Sequence, residues 1–196
     1  MIKSIIFDFD GVIHDTLDIG YHMNKELYPE LSLDEYKEIF TGNLYKHKRI
    51  TPEFEKRFFE MSYEYYKDLK IEKEIKDELI RLKKKFRLFI ITSNKESILK
   101  RYFSDNNLSE LFEDVMGFET HRSKVEKFKL LMNKHNLLKD ECAFITDTLG
   151  DVLEGNEIGI KTIAVDFGFH SREVLERGNP SSIISNFSDI ESTINK

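Results

Sequence analysis

Ile2-Lys3-Ser4-Ile5-Ile6-Phe7-Asp8-Phe9-Asp10-Gly11-Val12 lies at the start of the chain, and its reading decides the fold. The run Ile2–Phe7 is too short for a helix and is bounded by a glycine turn, as expected of an interior strand in a parallel sheet. Asp8 and Asp10 follow at its end. Side chains at i and i+2 project to the same side of an extended chain. The spacing therefore predicts both carboxylates in one crevice at the carboxyl end of a sheet, where open α/β folds place their sites.

Outward from this strand, further apolar runs fall at Arg87–Ile91, Asp114–Phe118, Cys142–Ile145 and Thr162–Val165, with another at Ser182–Ser185. Helical patterns separate them from residue 84 onward, the alternation of a parallel sheet with crossover helices. Over 124–135, Val125, Phe128, Leu131 (or Met132) and His135 share one face, with Ser123 placed as N-cap. Gly159 should close the helix after Asp151, and Gly178 with Pro180 the next one. Gly155 inside the former is anomalous, since a mid-helix glycine costs about 1 kcal/mol relative to alanine.

Residues 16–83 break the alternation. They hold helical stripes and no convincing strand. Thr51 and Pro52 open one helix carrying Phe54, Phe58, Met61, Tyr65 and Leu69. Ile75, Leu79, Leu82 and Phe86 repeat the spacing. The expectation is an α/β core of residues 1–15 and 84–196, with a small helical bundle of 16–83 inserted after the first strand.

The 196 residues suit one domain with a modest insertion, and 16 Phe and 8 Tyr can fill its core. No apolar stretch approaches the roughly 20 residues needed to cross a bilayer, and no basic, apolar and cleavable leader opens the chain. A soluble, cytoplasmic protein with no membrane partner is expected. Cys142 is the only cysteine, which excludes an internal disulfide or a thiolate metal cluster and reads as a core residue. A net charge of −6 argues against nucleic acid as the main partner. It leaves room for a phosphorylated small molecule held through a divalent cation.

Three further features fall at the ends of later strands. Thr92, Ser93 and Asn94 stand at a strand end before a helix, where hydroxyl and backbone N–H groups can bind an anion. On that segment alone, the reading of Ser93 or Asn94 as a mere N-cap is the favoured one. Lys124 sits in the first turn of a helix, against the dipole; taken alone it reads as a solvated surface group. Asp147 and Asp151 bridge a strand end and a helix start, a carboxylate pair whose repulsion a hard cation would relieve. A first-turn acid accounts for Asp151 but not for Asp147.

Asp8-Phe9-Asp10-Gly11-Val12, followed in order by the Thr92 strand, a lysine and the acidic pair, resembles the motif series of the haloacid dehalogenase superfamily. The similarity is to its phosphatase branch with a small helical cap, which includes phosphoglycolate phosphatase and β-phosphoglucomutase. The resemblance covers nearly the whole chain and implies a Rossmann-like parallel sheet with an α-helical cap inserted after the first strand. It implies a Mg²⁺-dependent phosphatase acting on a small phosphorylated metabolite through an aspartyl-phosphate. Asp8 would be the nucleophile and Asp10 the acid/base. The metal would take Asp8, the backbone carbonyl of Asp10 and Asp147, with Asp151 as ligand or outer support. Thr92, with Ser93 and Asn94 beside it, and Lys124 would bind phosphate.

Two departures stand out: Thr146 replaces the glycine usual before Asp147, and Val125 replaces the proline usual after the lysine. The second leaves Lys127 as an alternative to Lys124. A phosphomutase of the β-phosphoglucomutase type is the alternative function, and a non-catalytic binding protein on the same fold a more distant one. Substrate selectivity should lie in the cap, where the basic stretch Lys46-His47-Lys48-Arg49 is either an anion-reading loop or a solvated charged one. His14 and His22 are further candidates near it.

Overall fold

A six-stranded, all-parallel sheet in the order β3-β2-β1-β4-β5-β6 forms the centre of the computed structural model, which describes residues 1–195. The strands are β1 (Ser4–Phe7), β2 (Arg87–Ile91), β3 (Asp114–Met116), β4 (Cys142–Thr146), β5 (Lys161–Val165) and β6 (Ser182–Ile184). Each expected strand is present, within two residues at its ends, and β3 stops at Met116 rather than Phe118. There Phe118 N–H turns to the Asn94 carbonyl (2.8 Å).

β1 is central, paired to β2 through Ile5↔Leu88 and to β4 through Ile5↔Ala143. Its continuous apolar run reflects burial on both faces. Ile5 and Phe7, with Leu88, Ile90 and Ile145, pack on one side of the sheet. Ile6, Phe89, Ile91, Cys142 and Phe144 pack on the other, against Phe128 and Leu131. Strand order reverses between β1 and β4, so a crevice opens beyond their carboxyl ends.

Helices α1 (Leu17–Leu27), α2 (Leu33–Glu38), α3 (Pro52–Tyr66) and α4 (Lys73–Lys83) lie between β1 and β2. The first three, with short 3-10 turns at Ile39–Thr41 and Leu44–Lys46, sit over the crevice. α4 instead packs on β2 and on the 3-10 turn Phe187–Asp189, so it lies with the sheet rather than in the inserted bundle. Thr51 accepts from Phe54 N–H and Pro52 opens α3, as expected. The buried face of α3 is rotated from the expected stripe. Phe54, Glu55, Phe59, Ser62 and Tyr66 are buried, while Phe58, Met61, Tyr65 and Leu69 lie at the margin. Polar tips placed Glu55 and Tyr66 outside a stripe counted from apolar residues, yet both find partners in the crevice.

The remaining helices are α5 (Glu96–Asp105), α6 (Lys124–His135), α7 (Leu149–Ile158), α8 (Arg172–Glu176) and α9 (Ile190–Ile194). Gly159 closes α7 with φ +73°. The structure accounts for Gly155: a Cβ there would stand 2.3 Å from Thr162 Oγ1, so glycine lets α7 lie directly on β5. Among the described residues no helix is long and apolar enough to cross a membrane.

Candidate active site

Asp8, one residue past β1, is 6% exposed. Its Oδ1 accepts from Phe9 N–H (2.7 Å), and its Oδ2 lies 2.7 Å from Lys124 Nζ. The same ammonium is 2.5 Å from Asp151 Oδ2, which also accepts from Thr146 Oγ1 (2.7 Å). Lys124 enters from the first turn of α6. The unfavourable position against the dipole is thus filled by an ammonium that two buried carboxylates hold in place. Lys127, the alternative lysine, is fully buried one turn on and donates to the Thr92 carbonyl instead.

Burial pushes the Asp8 carboxyl well up, with Asp151 and Asp147 adding to the effect and Lys124 opposing it. Burial works in the same sense on Asp151 and is the largest single influence, but the Lys124 ammonium together with hydrogen bonds from Asp8, Lys124 and Thr146 outweighs it and holds that carboxyl below its usual range. Lys124 itself is held high: burial alone would lower it, and Asp151 and Asp8 more than compensate. Lys127, without a carboxylate at contact, is pushed down to about 7 by burial, with Lys124 repelling it further.

Asp147 follows β4 and is 0% exposed. Its Oδ2 accepts from Phe169 N–H (2.7 Å), while its Oδ1 is buried with no hydrogen-bond partner. Burial pushes this carboxyl up to about 8, against the Phe169 hydrogen bond. Gly11 closes one side of the pocket at φ +75°, where a Cβ would stand 1.9 Å from Asp147 Oδ2. A buried, unpartnered carboxylate oxygen beside other buried carboxylates is a poor arrangement unless a cation completes it.

The donor set fits Mg²⁺, which takes one or two carboxylates, hard oxygen donors and waters. Asp8 and Asp147 would supply the carboxylates. Among the described residues no three acidic, histidine or cysteine side chains converge as a ligand cluster. Of the expected set of Asp8, Asp10, Asp147 and Asp151, Asp10 enters only through its backbone carbonyl, and Asp151 is placed as outer support rather than as a ligand. The Asp151 carboxylate is taken up by Lys124 and Thr146, and that of Asp10 turns elsewhere.

Asp10 Oδ1 accepts from Thr16 Oγ1 (2.8 Å) and from the Tyr66 hydroxyl, and its Oδ2 lies 3.4 Å from Asn94 Nδ2. Asp8 and Asp10 both follow β1 but are held from different sides, Asp8 by Lys124 and Asp10 largely by the inserted helices, and of the two it is Asp10 that lines the cavity beneath those helices. Tyr66 and Thr16 were not singled out in the sequence. A tyrosine at a helix end and a threonine beyond the acidic turn carry no local signal of a partner 56 and 6 residues away.

Of the expected phosphate ligands, Lys124 and Thr92 are buried, and Thr92 Oγ1 accepts from Asn94 N–H (3.0 Å). Ser93 and Asn94 border the crevice. Neither caps α5, whose N-cap is Lys95, so the helix starts later than expected. Ser123 holds the N-cap position of α6 without a capping bond; its hydroxyl donates to Glu154 (3.1 Å).

Several contacts close the inserted helices over the crevice. The Tyr45 hydroxyl donates to the Ser93 carbonyl (2.6 Å), and Asn43 Nδ2 to Glu154 Oε1 (3.1 Å). His170 accepts from Leu149 N–H at Nδ1 and faces the Lys37 carbonyl through Nε2, both at 2.9 Å. Arg122 grips Glu55 of α3 with two nitrogens, at 3.0 and 2.6 Å. The basic stretch does not line the crevice: Lys46 and Lys48 are exposed, and Arg49 is 3.2 Å from Glu35. His14 meets the Tyr102 hydroxyl (3.0 Å) and His22 faces Glu26 (3.7 Å), so neither reaches it.

Known proteins are similar to this chain. The model of haloacid dehalogenase-like hydrolases matches residues 5–165. A provisionally assigned pyrophosphatase of Caldanaerobacter subterraneus subsp. tengcongensis is 26% identical, over 93% of this chain and 90% of its own. A phosphoglycolate phosphatase of Aquifex aeolicus is 26% identical over 86% of each. The solved structure of a haloacid dehalogenase-like family hydrolase from Streptococcus pneumoniae superposes with a TM-score of 0.79 at 20% identity, covering 97% of both chains. That likeness establishes the fold.

Proposed function

The chain belongs to the haloacid dehalogenase-like hydrolase family, and on that premise we propose that it is a Mg²⁺-dependent phosphatase of small phosphomonoesters. The observation that carries this reading is the buried Asp8–Lys124–Asp151 cluster, set beside the unpartnered oxygen of Asp147. The phosphatase names of similar proteins support the reaction class. The segment from residue 16 through α3 is read as the cap.

In this reading, Asp8 Oδ2 attacks phosphorus and forms an aspartyl-phosphate as the ester oxygen departs. The Lys124 ammonium, now touching Asp8, follows the phosphoryl oxygens and offsets their charge, with the Thr92 region as the opposite support. Mg²⁺, held by Asp8 and Asp147 with the Asp10 carbonyl, would lessen the repulsion between an anionic nucleophile and an anionic phosphate.

Asp10 moves the proton. Thr16 and Tyr66 both bind its Oδ1, which leaves Oδ2 to face the reacting oxygen. Oδ2 would give a proton to the leaving alcohol and then take one from the water that attacks the aspartyl-phosphate. The Tyr66 contact comes from the cap, so full assembly of this acid/base requires the cap to be closed.

The test is phosphate release from 4-nitrophenyl phosphate with and without Mg²⁺. Release that depends on Mg²⁺ and is lost in Asp8→Asn is expected. Activity of Asp8→Asn within tenfold of wild type would overturn the assignment.

A further inference from the structure

A cavity of about 670 Å³, its open mouth included, runs from Asp10, Ser93 and Asn94 into the cap. It lies where the alcohol part of a phosphate ester must sit if Asp8 attacks from the sheet side and Asp10 protonates the leaving oxygen. Its walls are Phe40, Leu44, Ile50, Phe54, Phe58 and further aromatic side chains. Three polar side chains of the lining are turned on the protein itself. Asn24 donates to the Gly20 carbonyl (2.9 Å), Tyr45 to the Ser93 carbonyl, and Tyr66 to Asp10.

Among the described residues no lysine, arginine or histidine lines this space, and its charged members are Asp10 and Glu55. Arg122 is committed to Glu55 by two hydrogen bonds and lies over the Phe118 ring at 5.0 Å. Lys124 is committed to Asp8 and Asp151. Lys95 lies over the Phe59 ring at 4.9 Å and is not part of the lining. A second anionic group on the substrate would thus enter an aromatic pocket with no cation to meet it and a carboxylate on its wall.

We propose that the ester hydrolysed here carries an uncharged, largely apolar alcohol, recognised by burial of its hydrocarbon or aromatic part in the cap. The proposal rests on the phosphatase reading and narrows it. It departs from glycolate and phosphate as leaving groups, since each brings a further negative charge.

The experiment measures kcat/KM with Mg²⁺ for ethyl, butyl, hexyl and 2-phenylethyl phosphate, phosphoglycolate and pyrophosphate, with 4-nitrophenyl phosphate as reference. The alkyl series should rise about fourfold per buried methylene (about 0.8 kcal/mol) until the pocket is full. 2-Phenylethyl phosphate should exceed phosphoglycolate by on the order of a hundredfold, because the carboxylate goes unpaired. Ile50→Lys, at a half-buried wall position, should narrow that ratio at least tenfold by placing a cation in the pocket.

Hydrolysis of the reference ester combined with a flat alkyl series, or with faster turnover of phosphoglycolate or pyrophosphate, would overturn the proposal and leave the phosphatase reading standing. An unchanged ratio in folded Ile50→Lys would also overturn it. No Mg²⁺-dependent hydrolysis of any ester, the reference included, would overturn both.

Discussion

The two walls of the crevice are built from opposite chemistry. On the sheet side, Asp8, Lys124, Asp147 and Asp151 are all buried, packing ionisable groups where water cannot screen them. On the cap side the lining is mostly aromatic and aliphatic, and Asn24, Tyr45 and Tyr66 direct their polar tips to the protein itself. A phosphoryl group is the same in every phosphomonoester, and the charged wall is suited to it. Alcohols differ, and the apolar wall is suited to telling them apart. In the proposed reading, chemistry and selectivity are separated by segment of chain, the first following the strands and the second the insertion.

The largest expected effect is on the charged wall. Asp8→Asn should lower kcat by about a thousandfold or more, the scale of losing a nucleophile. Stability should change little, because Asp151 still meets Lys124. A comparable loss from any single substitution in the cap lining would erase the separation between the walls.

Next, the two buried lysines should behave differently. Lys124→Met leaves Asp8 and Asp151 buried without their cation and should cost about 3 kcal/mol in urea unfolding, as for a broken buried ion pair. Lys127 binds only a backbone carbonyl, and its charge is already disfavoured. Lys127→Met should therefore change stability by less than about 1 kcal/mol. The reverse ranking would move the working lysine to Lys127.

Asp147 gives a pH test. Its carboxyl is raised from 3.8 to about 8 by burial, so the folded metal-free protein holds that proton more tightly than the unfolded chain. The stability it contributes is full below about pH 4 and is lost as pH rises toward 8. Without metal, the melting temperature of wild type relative to Asp147→Asn should fall between pH 5 and pH 8. Mg²⁺, which competes for the deprotonated carboxylate, should restore more at pH 8 than at pH 5. An equal Mg²⁺ shift in both proteins would remove Asp147 from the metal.

The smallest effect joins the walls. Tyr66→Phe removes one donor from Asp10 and leaves Thr16, so kcat should fall about tenfold or less with KM little changed. An unchanged kcat would mean that the cap does not position Asp10.

The contrast also governs what could be read from the sequence. Strands buried on both faces write continuous apolar runs, and residues at their ends inherit positions from the sheet. The positions of Asp8, Thr92 and Asp147 were legible for that reason, whereas Lys124, which alone read as a solvated surface group, stood out only through the order of the motifs. The α3 face was misplaced because Glu55 and Tyr66 are buried through partners remote in sequence, Arg122 and Asp10. The basic stretch Lys46–Arg49 was legible as charge, but its direction away from the cavity depends on how the insertion folds back. The unpartnered Asp147 oxygen and the Gly11 contact beside it depend on through-space distances that no local pattern carries.

The central claim is that Asp8 receives the phosphoryl group and Asp10 Oδ2 later activates water to release it. Asp10→Asn mixed with Mg²⁺ and 4-nitrophenyl phosphate, a substrate whose leaving group needs no proton, should accumulate phosphoenzyme after rapid acid quench. Peptide mass spectrometry should place the phosphoryl group on Asp8, with a lifetime longer than in wild type. A phosphoryl group on another residue, or an intermediate no longer-lived than in wild type while turnover continues, would contradict the account.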